Sequence, residues 1–301
     1  MMRVNALFKF IQERHRIYER RAQGVPKPWT RDPILRQYRF TNVYRELDTV
    51  TIWIRENWRS PHCDDPNLWF ALAVARYINW PETLAAIGYP VPFKAEKVCR
   101  IMRERQASKQ QVFTGAYFIN SIGPKIESVV FDRLNRMWEN RKEVCARLDR
   151  VTYLAEMYEV LHEQFGFGSF MAGQVVADLK YVRPWTQAPD WHTWAVSGPG
   201  SKRGMYRLLG LPLQTAKRAV GFKRPNGTLK DRMMLTAPWK EREWFAKLHE
   251  LQAKLDPLLE QVKMPPMHAQ DVQGCLCEFD KYERVRLDEG QPRAKYPGEK
   301  E

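Results

Sequence analysis

The chain has 301 residues, with 49 Lys+Arg against 35 Asp+Glu and a formal net charge of +14. This excess favours a polyanionic partner, with nucleic acid ahead of an acidic membrane surface. No run of about 18 apolar residues occurs and the N-terminus lacks a signal-peptide core, so a membrane span and a secretion leader are both excluded as expectations. A hydrophobic fraction of 44% supports a real core, and aromatics reach 12%.

In chain order, residues 1–23 read as an Arg-rich amphipathic helix with Leu7, Phe8, Phe10, Ile11 and Ile17 on its apolar side. Val25-Pro26-Lys27-Pro28-Trp29 breaks it. Residues 41–57 read as a second helix, with Val43, Leu47, Val50 and Ile54 at helical spacing and Thr41 or Asn42 as its cap. A strongly apolar helix follows at 66–79, a short one opens at Pro81, and another covers 94–106. Residues 111–120 are the best strand candidate, although a loop entering a helix fits equally. Helices are then expected at 124–141, 147–164, 168–181, 201–209 and 238–262, the last before Pro265-Pro266. The tail 283–301 is charged, carries Gly290, Pro292, Pro297 and Gly298, and reads as irregular.

Almost nothing alternates with period two, so the fold class is mainly α. Residues 1–282 are expected to form one α-helical catalytic unit, with two lobes and a groove compatible with it; its core lies at about 147–210. The five cysteines (Cys63, Cys99, Cys145, Cys275 and Cys277) are odd in number and scattered, which argues for reduced thiols in a cytosolic compartment. His62-Cys63-Asp64-Asp65 reads as a polar loop before a metal site, and no structural zinc is expected.

Four segments carry candidate chemistry. In the first, Gly198-Pro199-Gly200-Ser201 runs into Lys202, Arg203 and Arg207. Glycines let a backbone approach a ligand, and a helix N-terminus with added cations suits a phosphate. A Pro-Gly turn before a helix with a solvated basic face is the plain alternative. In the second, Arg39, Asn42, Tyr44, Arg45 and Asp48 crowd one expected helix start. On that helix Tyr44, Asp48 and Thr51 would share a face. An ordinary capped helix explains the same residues.

In the third, Phe165-Gly166-Phe167-Gly168 leads into a helix rich in small residues, on which Gln174, Asp178 and Tyr181 align. Apolar-Gly-apolar-Gly between two helices is the pattern of a helix-hairpin-helix, whose glycines Gly166 and Gly168 would present backbone N–H groups to a DNA phosphate; a glycine-rich connection between core helices is the rival. In the fourth, Cys275 to Arg284 places Glu278 three residues before Lys281, and Asp280 four before Arg284, as helical ion pairs would be placed.

The hairpin and the following Pro189-Asp190-Trp191-His192 resemble the helix-hairpin-helix DNA glycosylase superfamily over about 60 residues, which implies a glycosylase-like helical bundle with Asp190 in the catalytic place. Ser169 and Phe170 stand where some members carry a catalytic lysine, and no iron–sulfur cysteine cluster is present. A wider resemblance rests on three motifs in order: Arg39-Phe40-Thr41-Asn42-Val43-Tyr44-Arg45-Glu46-Leu47-Asp48, Gly198-Pro199-Gly200-Ser201-Lys202-Arg203-Gly204, and Cys277-Glu278-Phe279-Asp280-Lys281-Tyr282. Together they resemble the phage alpha-glutamyl/putrescinyl thymine pyrophosphorylases, which share a helical domain with 5-hydroxymethyluracil DNA kinases; members without a kinase domain are amino acid:DNA transferases.

This resemblance implies a transferase in the cytoplasm of an infected bacterial host. Its substrates would be double-stranded DNA bearing phosphorylated 5-hydroxymethyluracil and an amino acid or other amine, which displaces the phosphate from the 5-methylene carbon. No G-x-x-x-x-G-K-S/T loop occurs in these residues, so an upstream DNA kinase is expected to supply the phosphorylated base. Asp178, Asp190, Glu278 and Asp280 are the candidates to deprotonate the amine. Lys281, Lys202, Arg203 and Arg207, with Arg39 and Arg45, are the candidates to hold phosphate. Trp191, Trp194 and Tyr44 are candidates to stack on an extruded base. No metal or organic cofactor is demanded by a displacement that needs positioning and leaving-group stabilisation. A glycosylase acting on modified bases, or a non-catalytic DNA-binding partner of a modification complex, would use many of the same features.

Overall fold

The computed structural model describes residues 2–114, 125–223, 229–292 and 294–296; the side chains of 217–233 are not described. Among these residues the α-helices are, in chain order, α1 (Val4–Ala22), α2 (Pro33–Gln37), α3 (Thr49–Ile54), α4 (Leu68–Ile78), α5 (Pro81–Ile87), α6 (Ala95–Ala107), α7 (Ile126–Val129), α8 (Arg136–Glu139), α9 (Arg141–Leu148), α10 (Leu154–His162), α11 (Ser169–Leu179), α12 (Pro199–Leu209), α13 (Glu241–Gln261) and α14 (Ala269–Arg286). Two strands, β1 (Gln214–Lys223) and β2 (Leu229–Thr236), pair in a two-stranded sheet. The architecture is mainly helical, as the missing period-two pattern implies.

The chain divides into two compact units. The first comprises residues 1–48, 195–218 and 233–301, and the second 49–194 and 219–232. The first therefore holds α1, α2, α12, α13 and α14, and the second α3 to α11.

The core of the first unit joins Leu7, Phe10 and Ile11 of α1 to Trp244, Leu248 and Leu251 of α13 and to Val272, Leu276 and Phe279 of α14. Against α14 lies α12, and two glycines set how close it comes. A Cβ built on Gly204 would stand 2.2 Å from the carbonyl oxygen of Leu276, and one on Gly200 would stand 3.2 Å from Cys277 Sγ. The first distance is far inside van der Waals contact with rigid backbone, so no larger residue fits at 204 without parting the helices.

The second unit is organised around α4, all eleven of whose residues are buried. Arg76 in its middle is matched by Asp178 of α11: Nε donates to Oδ2 and Nη2 to Oδ1, both at 2.6 Å. Arg76 also donates to Thr51 Oγ1 at 3.1 Å and to Asn79 Oδ1 at 3.3 Å. A bidentate fork of this kind is how a helix with no exposed face carries a charge.

Several expected elements differ. The helix expected at 41–57 is absent from 41 to 48, where only a 3₁₀ turn at Arg45–Leu47 forms before α3. Tyr44 and Asp48 are extended, so the shared face of Tyr44, Asp48 and Thr51 does not exist. The cause is competition for backbone groups. The Asn42 N–H donates to Asp48 Oδ1 at 3.1 Å, and Asn42 Nδ2 donates to Leu47 O at 2.7 Å. Arg14 takes the carbonyls of Thr41 and Asn42, which a helix would need for its first turn.

The expected helix 124–141 is interrupted by π-helical turns over Val130–Asn135, and α3 ends in another at Arg55–Arg59. The span 147–164 is helical only from Leu154, and the helix before it, α9, was not expected. Residues 238–262 do not hold the last helix: α14 follows and runs four residues into the supposedly irregular tail. The sheet has no counterpart in the expectations, because Ala216, Ala219 and Gly221 interrupt the apolar alternation that would announce β1. Of the strand candidate 111–120, residues 115–120 lie outside the described residues, and 111–114 are irregular.

Gly204→Ala is expected to cost at least the about 1–3 kcal/mol typical of overpacking, read as a lowered midpoint in thermal or urea unfolding, whereas Gly274→Ala on α14, where a Cβ meets nothing within 4 Å, should not lower it.

Candidate active site

All three ordered motifs fall in the first unit, and its packing brings them together. The second motif forms the start of α12. Gly198 precedes Pro199 at the first helical position, and buried Ser201 closes the turn: Oγ accepts from the Gly198 N–H and donates to the Gly198 carbonyl, both at 3.0 Å. Of the two glycines that read as room for a phosphate, Gly198 and Gly200, Gly200 is packed against Cys277 of α14, as Gly204 is against Leu276.

The third motif lies on α14 itself. Asp280 is fully buried and receives Arg203 Nε at 2.8 Å and Arg207 Nε at 2.9 Å, with Arg284 Nε at 3.6 Å. Arg207 also meets Glu289 at 2.5 Å, and Lys202 meets Glu241 at 2.9 Å. Burial, followed by the like charges of Arg203 and Arg207 working against Asp280, holds the Arg284 guanidinium below its usual value. Three guanidiniums thus share two carboxylates here.

Glu278 differs from its neighbour. It is 4% exposed, and its Oε1 accepts from Lys281 Nζ at 2.6 Å. Its Oε2 is buried and has no hydrogen-bond partner among the described residues. Burial pushes the nearby Cys277 thiol up to about 12, with the Glu278 charge adding, and pushes Cys275 to about 11.

The first motif wraps this helix from the other side. The Arg45 N–H donates to Asp271 Oδ1 at 3.1 Å, and Tyr44 Oη donates to the Pro265 carbonyl at 2.6 Å. Phe40 stacks edge-on with Phe10, whose ring also meets Phe279 and Tyr282 at 5.6 Å and 5.0 Å. Tyr282 Oη donates to Asp32 Oδ2 at 2.7 Å. Arg39 is exposed, and its N–H donates to the carbonyl of Ala294.

The remaining candidates lie in the second unit. Asp178 is the buried partner of Arg76. Asp190 caps α10: Oδ1 accepts from the Leu154 N–H at 2.8 Å and Oδ2 from the Ala155 N–H at 3.0 Å. Trp191 Nε1 donates to the Lys180 carbonyl, and Lys180 Nζ both donates to the Trp191 carbonyl and sits 4.1 Å over its ring. Trp194 is buried against Tyr158. Between α10 and α11 the expected glycine turn is present. Gly166 has φ of +89°, its carbonyl accepts from Tyr77 Oη, and Gly168 is the extended residue that opens α11. Phe165 is exposed beneath the Arg136 guanidinium, 4.5 Å from its ring.

One residue of the site was missed at the sequence level. Arg14 occupies the apolar side of α1 between Ile11 and Ile17 and is 4% exposed. An arginine in that register, three residues after one core position and three before another, was its signal.

The described residues contain no group of three or more His, Cys, Asp or Glu that could hold a metal ion, and no described helix is long and apolar enough to cross a membrane. The chain belongs to the family of the 5-hmdU DNA kinase helical domain, whose sequence profile matches residues 2–292. It is 34% identical over 223 residues to the 5-hmdU DNA kinase of Bacillus phage SP10, a match that covers 64% of this chain and 34% of that protein. The chain thus spans about a third of the length of this curated relative. No solved structure matches.

Two outcomes follow from the geometry. Asp178→Ala leaves the Arg76 charge buried without its carboxylate and is expected to cost about 3–5 kcal/mol, whereas Asp190→Ala should cost about 0.5–2 kcal/mol, the scale of a lost helix cap; paired chemical-denaturation curves check the ranking. Iodoacetamide at pH 8 should label exposed Cys63 and spare Cys275 and Cys277 in the folded chain, since thiols pushed upward carry little thiolate there; peptide mass mapping reads the pattern, and early labelling of Cys277 would contradict the packing of α12 on α14.

Proposed function

We propose that this protein is an amino acid:DNA transferase of phage thymine hypermodification, acting on phosphorylated 5-hydroxymethyluracil in double-stranded DNA. Family membership supports action in the chemistry of 5-hydroxymethyluracil DNA. The sequence carries no P-loop pattern, so phosphate transfer from a nucleotide is not assigned to these residues. The observation that carries the reading is the orphaned, buried Oε2 of Glu278 in the motif-bearing unit.

In this mechanism the incoming ammonium gives a proton to Glu278. The freed lone pair forms a C–N bond to the 5-methylene carbon as the C–O bond to phosphate breaks, and the bonding electrons leave with the phosphate. Of the four carboxylates considered, Glu278 alone keeps a buried oxygen without a partner among the described residues. Asp280 is held by Arg203 and Arg207, Asp178 by Arg76, and Asp190 by two backbone amides. Lys281 Nζ donates to the other Glu278 oxygen and so fixes the direction in which Oε2 points. The glycine turn of α10–α11, with Gly166 and Gly168, serves as a contact to the DNA backbone. The left-handed Gly166 between two helices supports the helix-hairpin-helix reading.

The test is mass spectrometry of nucleosides after the protein is incubated with phosphorylated 5-hydroxymethyluracil DNA and a mixture of amino acids. A new aminoacyl-modified nucleoside supports the transfer, and a released free base would replace it with glycosidic cleavage. Glu278→Gln is expected to lower turnover by roughly 10²–10⁴, the scale of general-base loss, while DNA affinity stays near that of the parent. Asp190→Asn, assayed below its unfolding temperature, should turn over normally. The reverse ranking would move the base to Asp190.

A further inference from the structure

Arg14 is a buried cation without a counter-ion among the described residues. Its Nη2 donates to the carbonyls of Thr41 at 2.5 Å and Asn42 at 3.2 Å, and its Nη1 reaches Cys275 Sγ at 3.4 Å. Its Nε is buried with no hydrogen-bond partner among the described residues, and no described carboxylate pairs with it. Every other arginine singled out in these motifs that is buried has such a partner: Arg207 lies on Asp280 and Glu289. A guanidinium taken out of water with neither a carboxylate nor a full set of acceptors is unfavourable unless something anionic joins it.

Arg14 also lines a narrow cleft, of about 10 Å³, together with Arg21, Tyr38, Thr41, Asn42 and Tyr296. The space admits one oxygen-sized group. At its edge exposed Arg21 lies over the rings of Trp29 and Tyr296, at 5.4 Å and 5.8 Å, and Lys27 lies 5.3 Å from each ring. None of the described residues that line it is acidic. Two of its members, Thr41 and Asn42, belong to the first of the three ordered motifs, and that motif bends into a loop here because Arg14 holds its carbonyls.

We propose that the cleft between Arg14 and Arg21 is a phosphate-binding site, in which one phosphate oxygen enters beside the Arg14 guanidinium and the rest of the group lies at the mouth by Arg21. This deepens the transferase reading by placing a phosphate at the first motif and not at the Arg203–Asp280 cluster, whose charges are already matched. The same chemistry serves a leaving phosphate and a DNA backbone phosphate, and the two are separable.

The experiment is isothermal titration of the full chain with inorganic pyrophosphate, and separately with an unmodified DNA duplex. Saturable binding of one pyrophosphate per chain is expected. Arg21→Ala, at an exposed position, should weaken it about tenfold or more, as loss of a charge-assisted contact does. Arg14→Lys, which keeps the charge but loses the planar fork, should weaken it further. Arg203→Ala should leave it unchanged. If the two variants weaken pyrophosphate but not duplex, the site takes a released or terminal phosphate; if they weaken both, it takes the backbone. Absence of saturable binding, or unchanged affinity in Arg21→Ala with loss in Arg203→Ala, overturns the proposal. Should Arg14→Lys fail to fold, Arg21→Ala still decides. Because binding is read without turnover, loss of the site and loss of the transfer reaction are told apart.

Discussion

The contact between the Gly204 backbone and the Leu276 carbonyl is the constraint on which the motif-bearing unit depends. It sets the distance between α12 and α14, and from that distance follow the close approach of Gly200 to Cys277, the reach of Arg203 and Arg207 onto Asp280, and the burial of that carboxylate. A helix pair this close is shielded from water along its seam. Charges within it must be matched there, and Asp280 is matched by more than one arginine. The two motifs that look like independent ligand sites in the sequence are to this extent two halves of one interface.

Buried charge is handled in three ways in this molecule. Arg76 and Asp178 satisfy each other bidentately and serve the second unit as a packed pair. Asp280 gathers several guanidiniums. Glu278 and Arg14 are left incomplete, one with an oxygen and the other with a charge and an N–H unanswered. Complete networks rigidify, whereas incomplete ones mark where a fold bears a cost for something other than stability. Both groups lie in the first unit, on or beside the ordered motifs, and the proposed proton-accepting and phosphate-holding roles fall on them.

The glycines show how one residue type answers different demands. Gly166 takes a left-handed conformation that turns the chain between α10 and α11, with Arg133 packed closely over it. Gly204 needs no unusual backbone angle; its lack of a side chain is what matters. A sequence window sees only glycine beside small or basic residues in both cases.

Much of the helical content was legible in the sequence, because α1, α4, α6, α11, α12 and α13 each carry a strong apolar period and local stop signals that do not depend on partners. The order of the three motifs was legible too, and so were the ion-pair spacings within α14. What the sequence left open was which partner each charged residue finds. The helix expected at 41–57 dissolves because Arg14, twenty-seven residues away, captures its first carbonyls. Asp190 read as a catalytic carboxylate and instead caps a helix thirty-six residues earlier in the chain. The role of Gly200 and Gly204 is set by a helix seventy residues downstream. These are long-range choices among groups with the same local appearance. A carboxylate is a base, a cap or a counter-ion according to what the folded chain places within hydrogen-bonding distance of it, and only the tertiary structure makes that placement.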